Sequence, residues 1–287
     1  MKKKSVKQAV AIVGAGNLGR VLALALHATG YRVTEIITRA SSGSKATQLA
    51  RKVGAKVVEM GRTAESSADV VWICVPDDAI FTVAKELART KTAWRGKVVL
   101  HTSGALNSKE LSALKRKGAA VGSAHPMNTF VKTSKANLRG VPFAVEGDAR
   151  AVTAGTTAGK ALGAEVFRIK AEAKVLYHAM GAFSSPLLVS LLYAGERVGR
   201  EAGLREPRKV MERILRQTVS NFVREGSAAA FSGPIRRGDM KTVQRHLKEL
   251  RRVQGTEAIY KVLAIQAVHG LPGKEKEAMM KLLGFVK

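Results

Sequence analysis

The six residues Gly14-Ala15-Gly16-Asn17-Leu18-Gly19 constrain this 287-residue chain more than any other part of it. They follow an apolar run, Ala9–Val13, and open an apolar helical pattern, Asn17–Thr29, which stops at Gly30; a second strand-like run, Val33–Thr38, comes next. A G-x-G-x-x-G alone is a weak signal. Between a strand and a helix, with a second strand beyond, it reads as a dinucleotide-binding fingerprint. Gly14 permits the tight turn, Gly16 lets the backbone approach a pyrophosphate, and Gly19 lets helix and sheet pack closely. The N–H groups at Asn17 and Leu18, with the partial positive charge of the helix start, then face the phosphates.

The end of the second strand selects the cofactor. An acid there grips a ribose 2′-hydroxyl, whereas a guanidinium with hydroxyls suits a 2′-phosphate. This chain has Thr38-Arg39, followed by Ala40-Ser41-Ser42. The expectation is NADP(H) rather than NAD(H).

Up to about residue 170, short β-branched runs alternate with helical patterns. The expected strands are 9–13, 33–38, 56–58, 70–75, 97–101, 119–123, 141–146 and 165–169. Helices are expected at 17–29, 44–53, 78–88, 108–117 and 148–162. Such alternation implies a largely parallel sheet with helices on both faces. Beyond Lys170 only helical patterns remain, at 171–203, 206–226, 239–253, 256–269 and 274–283, and Pro186 should kink the first of them. The fold class is therefore α/β, a largely parallel sheet over residues 1–170, followed by an all-α domain over 171–287. The most apolar stretch, 175–192, contains Tyr177, His178 and Pro186 and reads as a buried core helix rather than a membrane span.

Ligands of open α/β sheets sit beyond the carboxyl ends of the strands. Val75-Pro76-Asp77-Asp78 follows the fourth strand: the Val75–Pro76 backbone should line the cofactor channel, and Asp77 or Asp78 can cap the next helix. His101-Thr102-Ser103-Gly104 ends the fifth strand, where Ser103 is a candidate to touch a nicotinamide or a substrate; Ser108 reads as a helix cap. His125 follows the sixth strand at the same ligand-facing edge. On the long helix Lys174 and His178 stand four residues apart, with Tyr177 beside them. Either could supply the proton that accompanies hydride transfer to a C=O or C=N bond. Ser232-Gly233-Pro234-Ile235-Arg236-Arg237-Gly238-Asp239 separates two helices. Gly233 and Pro234 end the first, Asp239 caps the second, and Arg237 is a candidate for holding an anionic substrate group. The six histidines and the lone Cys74 show no metal-ligand spacing, so no metal site is expected.

Composition narrows the classes further. Apolar residues at 46% and charged residues at 25% describe a globular chain, and one cysteine allows no internal disulfide, which fits a reducing cytoplasm. The Met1-Lys2-Lys3-Lys4 start has no hydrophobic segment behind it and does not read as a secretion signal. Lys and Arg number 49 against 22 acids, a net charge of +27. The basic residues are scattered and lack the aromatic interleaving of single-strand binders. They read chiefly as solvated surface and phosphate steering, with a polyanion or nucleic-acid partner as the alternative.

The glycine loop, Val75-Pro76-Asp77-Asp78-Ala79-Ile80, His101-Thr102-Ser103-Gly104-Ala105-Leu106, His125-Pro126, Tyr177-His178 and the Ser232–Asp239 loop together carry a resemblance over nearly the whole chain. They resemble two-domain Rossmann-like proteins whose helical C-terminal domain is a domain of unknown function. That family is similar to pyrroline-5-carboxylate reductase, the β-hydroxyacid dehydrogenases and the deazaflavin-linked NADP oxidoreductases. The resemblance implies a helical domain like that of 6-phosphogluconate dehydrogenase, NADP(H) binding, homodimerisation through that domain, and an active site in the interdomain cleft. Many relatives carry an asparagine where this chain has Pro186. In the hydroxyacid dehydrogenases a lysine on this helix is followed a turn later by an asparagine, which Lys174 lacks. The reading is a cytoplasmic NADP(H)-dependent oxidoreductase of a small, anionic substrate, with a non-catalytic NADP(H) sensor or scaffold as the rival.

Overall fold

The structure, a computed structural model, describes residues 8–39, 44–61 and 64–285. The chain divides into two compact units, Met1–Phe183 and Ser184–Lys287. In the first unit all eight expected strands form one sheet: β1 (Ala9–Val13), β2 (Arg32–Thr38), β3 (Lys56–Glu59), β4 (Val70–Ile73), β5 (Val98–His101), β6 (Ala120–Pro126), β7 (Pro142–Gly147) and β8 (Glu165–Arg168). Their order is β3-β2-β1-β4-β5-β6-β7-β8. Neighbours run parallel except β6 with β7.

Central strands β1, β4 and β5 are buried at every position, which is why each reads as an unbroken apolar run. Their alternate side chains feed two cores. Ile12, Trp72 and Leu100 pack with α1 (Asn17–Ala28), α2 (Ser44–Val53) and α5 (Ala149–Ala161). Val71, Ile73 and Val99 pack with α3 (Asp77–Leu87) and α4 (Ser112–Lys115) on the other face. Strand order reverses at β1, which lies between β2 and β4, so a crevice opens beyond the carboxyl ends of β1 and β4.

Three of the boundaries that differ from expectation bear on the site. The helix expected at 108–117 starts as a 3-10 turn, Ser108–Leu111, before α4. Strand β4 stops at Ile73, and strand β6 continues to Pro126 because antiparallel β7 extends its ladder to Pro126 opposite Phe143. His125 therefore lies within a strand, opposite Ala144, and not after one.

The helix expected at 171–203 is broken rather than kinked. A 3-10 turn at Ala171–Ala173 leads into α6 (Lys174–Ser184), and α7 (Pro186–Glu201) follows. Ser185 between them is non-helical (φ −133°, ψ −90°), and Pro186 takes the first position of α7, where its missing N–H costs no hydrogen bond. Helix α6 belongs largely to the first unit. The rest of the second unit is α8 (Pro207–Ala230), α9 (Pro234–Arg237), α10 (Met240–Leu250), α11 (Thr256–Gly270) and α12 (Lys276–Leu282). Regular geometry in α8 is interrupted at Gly226 (φ 78°), where the sequence pattern ends that helix. Pro234 starts the short α9 instead of ending a helix. Val243, Leu247, Ala264, Val268, Met279 and Leu283 form the core of this unit.

The apolar stretch 175–192 is not a buried core helix. Leu176 is 78% and Phe183 71% exposed, and only 6% of the most apolar window of Ala171–Glu201 is buried. By length and composition alone that span is apolar enough to cross a membrane, at a mean hydropathy of 1.5. The break at Ser185 divides it into helices of 11 and 16 residues, each short of the ~20 a bilayer needs. Apolarity in a sequence predicts that a face will be covered; it does not say by what.

Candidate functional site

The glycine loop is built as its spacing requires. Gly14 has φ +98°, and a methyl on it would lie 2.6 Å from the Cys74 carbonyl, so the turn is pressed against the end of β4. Its N–H donates to Ile37 O at 2.9 Å. Gly19 is equally tight against Gly14, whereas nothing lies within 4 Å of where a Gly16 methyl would be. Gly16 is thus open to an incoming group, and the backbone N–H groups that begin α1 stand beside it.

Asn17 does more than open the helix. Its side-chain amide donates to Phe130 O at 3.0 Å, while Arg20 donates to Lys132 O and to Ser134 O (2.7 Å). These bonds tie the β6–β7 loop onto the first turns of α1. Between α1 and α2 lies a cavity of about 200 Å³ lined by Gly16, Asn17, Arg20, Lys45, Lys52 and Lys132, among others. The sequence reading missed these three lysines. Lys45 and Lys52 are seven residues apart on one helix face, a signal that was present; Lys132 arrives from a distant loop. Thr38 ends β2, and Arg39 is exposed directly after it. Ala40, Ser41 and Ser42 lie outside the described residues.

At the next strand ends, α3 begins directly after Val75–Pro76. Pro76 holds its N-cap position, so neither Asp77 nor Asp78 caps it. Asp77 Oδ2 instead accepts the Ser103 hydroxyl at 2.7 Å. Ser103 Oγ in turn accepts from the N–H groups of Ala105 and Leu106. Its single proton is committed to Asp77, which makes it a joint between two loops. Ser108 is not a cap either: Asn107 caps the turn, and Ser108 donates through N and Oγ to Glu146.

A cluster of titratable groups gathers beside Ser103. His125 Nδ1 lies 3.1 Å from the Tyr177 hydroxyl with the rings edge to face, and the His178 ring centroid is 5.9 Å from that of His125. Gly104 is the notch they share. A methyl there would lie 2.5 Å from His178 Cδ2 and 2.9 Å from His125 Nε2. Tyr177 packs on Phe167, and His178 is exposed. Lys174 is fully buried, donating from Nζ to Ser103 O (2.8 Å) and Ser123 Oγ (2.5 Å). Lys174 and His178 share a helix side as expected, but only His178 reaches solvent.

Burial dominates the electrostatics. It pushes the Tyr177 hydroxyl up to about 12. Burial, then the charges of Lys174, His178 and His101, push His125 down to about 3. Burial lowers Lys174 to about 8, with Glu146 and Asp77 opposing. His125 is therefore neutral and Lys174 largely charged at neutral pH.

Arg237 belongs to the second unit, exposed on α9. Its neighbour Arg236 is structural, donating to Phe231 O at 2.5 Å. Asp239 caps α10 as expected, accepting from Thr242 N at 3.1 Å.

Comparison with known proteins agrees with this architecture. Residues 2–126 match the Rossmann-like domain, and residues 141–267 match DUF2520, a domain of unknown function. Together the two matches span most of the chain, a Rossmann-like domain followed by a DUF2520 domain, as in the two-domain proteins that the sequence resembles. No curated protein matches it. Among solved structures it resembles BF3122 of Bacteroides fragilis, whose assignment as an NADP oxidoreductase is itself a proposal. The two share 21% identity with a TM-score of 0.73, over 91% of this chain and 98% of that one. Protein TM1727 of Thermotoga maritima shares 24% identity with a TM-score of 0.72, over 96% and 98% of the two chains. An imine reductase of Myxococcus stipitatus in complex with NADP+ shares 17% identity with a TM-score of 0.65, over 97% and 100%.

Proposed function

We propose that the protein is an NADP(H)-dependent oxidoreductase acting on a small, anionic substrate with a C=O or C=N bond. The observation that carries this reading is the convergence, in one unit, of an open Gly16 turn with the Ser103, His125, Tyr177 and His178 cluster at the carboxyl ends of the parallel strands. The likeness to an imine reductase holding NADP+ supports it.

The residues present fit such a cofactor. Gly16 leaves space for a pyrophosphate, which the Asn17 and Leu18 N–H groups would bind. Thr38 and Arg39 would hold the 2′-phosphate, with Lys45, Lys52 and Lys132 supplying charge from the adjoining cavity. Val75 and Pro76 would border the channel. When bound, the nicotinamide supplies or accepts the hydride. His178, exposed beside His125, would deliver the proton, and the Tyr177 hydroxyl, hydrogen-bonded to His125 Nδ1, would hold that imidazole in place. Arg237, exposed on α9 of the second unit, is a separate candidate for binding an anionic group.

Fluorescence titration with NADPH and NADH tests the reading. NADPH binds the wild type, and Arg39→Ala weakens it roughly tenfold or more while NADH is unaffected, since a charge-assisted contact to a phosphate is worth ~1.5–3 kcal/mol. Absence of binding by either nucleotide overturns the proposal.

The active form would be a homodimer. Helix α8 has 24 residues and buries only Pro207, while Val210, Ile214, Val219, Phe222 and Val223 lie exposed along it. Beside it an apolar cavity of about 820 Å³ is walled by residues including Leu191, Met211, Phe231, Ile259 and Leu263. Exposed apolar area of this extent calls for a covering surface. Sedimentation should give two chains per particle, and Ile214→Lys with Phe222→Lys should give one; a wild-type monomer contradicts this.

A further inference from the structure

Lys174 opens α6 and its side chain is wholly withdrawn from solvent. Burying an ammonium is costly unless its protons are met. Here two of them are met by neutral oxygens from neighbouring strands: Ser103 O after β5 and Ser123 Oγ within β6. Ser123 Oγ also donates to Ser103 O at 3.3 Å, and Ser103 Oγ donates to Asp77 of α3. One ammonium therefore joins α6, β6, the loop after β5 and, through Ser103, α3.

The two residues of the hydrogen-bonded pair beside it hang from the same anchor points. His125 is two residues beyond Ser123 on β6, hence on the same face of the sheet. Tyr177 is three residues beyond Lys174, hence on the same side of α6. Fixing Lys174 on Ser123 fixes the register at which Tyr177 meets His125 Nδ1.

We infer that Lys174 is a positioning residue and not the proton donor: anchored on Ser103 and Ser123, its ammonium sets the Tyr177–His125 pair with Tyr177 donating and His125 accepting through Nδ1. This rests on the oxidoreductase reading only for the role the pair would serve; the arrangement itself stands without it. The charged and titratable groups that surround the pair are consistent with it. Lys174 and His178 of α6 and His101 of β5 all oppose protonation of His125. The nearest carboxylates, Asp77 of α3 and Glu146 of β7, act on Lys174 and accept from Ser103 and Ser108. A neutral His125 with Nδ1 unprotonated carries its proton on Nε2, at the Gly104 notch beside His178.

The test is nitrogen NMR of ring-labelled histidines in the cofactor-free wild type, Lys174→Met and Lys174→Arg. In the wild type His125 should be the Nε2–H tautomer and should not titrate above pH 5. In folded Lys174→Met its titration should move up by roughly one pH unit and the tautomers should mix; Lys174→Arg should restore the wild-type signature in part. A wild-type His125 protonated on Nδ1, or titrating near 6.5, overturns the inference, as does a folded Lys174→Met with an unchanged His125. Should the methionine variant not fold, the wild-type tautomer and native acetylation decide: rapid acetylation of Lys174 is incompatible with its burial. NADPH titration is read separately, so failure to bind the nucleotide removes the oxidoreductase reading and leaves the His125 result standing.

Discussion

Lowering the pH from 7.5 to 4 should cost the folded protein about 3 kcal/mol through His101 alone. This residue ends β5, is fully buried, and accepts at Nδ1 from Ser103 N–H. Burial first, then the charge of Lys174, lowers its value from 6.5 to about 4, with the Asn107 backbone opposing. The folded value lies below the unfolded one. The unfolded chain therefore binds the proton first as acid is added, and stability present above pH 6.5 drains away down to about pH 4. His125, lowered to about 3, acts in the same sense. The charge of Lys174 acts on both and that of His101 on His125, so their contributions do not simply add. Between pH 6.5 and 5 most carboxylates remain ionised, and about 1.6 kcal/mol of the loss should already be visible from His101 there. Urea unfolding across this range measures it. The His101→Asn variant, which has no proton to take up, should show a flatter profile; a wild-type profile flat from pH 7 to 5 contradicts the expectation.

Gly19→Ala should damage folding and cofactor binding together, whereas Gly16→Ala should damage binding alone. A methyl on Gly19 would stand 2.0 Å from Gly14 O and 3.3 Å from Cys74 Cβ. The nearest atom is backbone, so no rotamer change relieves the contact, and α1 must separate from the turn. Overpacking of this kind costs ~1–3 kcal/mol or more. The same displacement moves the N–H groups meant for the pyrophosphate, so NADPH affinity should fall by ~100-fold. Gly16 has φ −70° and open space around its missing side chain, so alanine there should leave the melting temperature close to wild type. Its methyl would occupy the room a pyrophosphate needs, and affinity should still drop. Thermal unfolding beside a fluorescence titration separates the two. A Gly19→Ala protein with wild-type melting, or a Gly16→Ala protein with wild-type affinity, contradicts this division of labour.

Chain order and local chemistry determined most of the first unit. Strands β1, β4 and β5 are buried on both faces, so their apolar runs are visible without knowing their neighbours. The glycine loop is equally legible, because a positive φ and a close backbone approach each restrict the residue type locally. Pro186 marked a disruption for the same reason, though a tertiary break replaced the expected kink.

What the sequence alone could not decide is where side chains from distant segments meet. Lys174 and His178 share a helix side, yet only contact with Ser103 and Ser123 sends one inward while the other stays in solvent. Ser103 looked free for chemistry until Asp77, 26 residues earlier, claimed its proton. Local pattern ends the sixth strand before His125, because only the antiparallel partner β7 extends that strand past it. Lys132 joined the basic cavity because Arg20 and Asn17 hold its loop against α1. Periodicity and turn chemistry are short-range and can be read along the chain. Desolvation and the committing of hydrogen bonds depend on groups tens of residues apart, and only the folded structure brings those together.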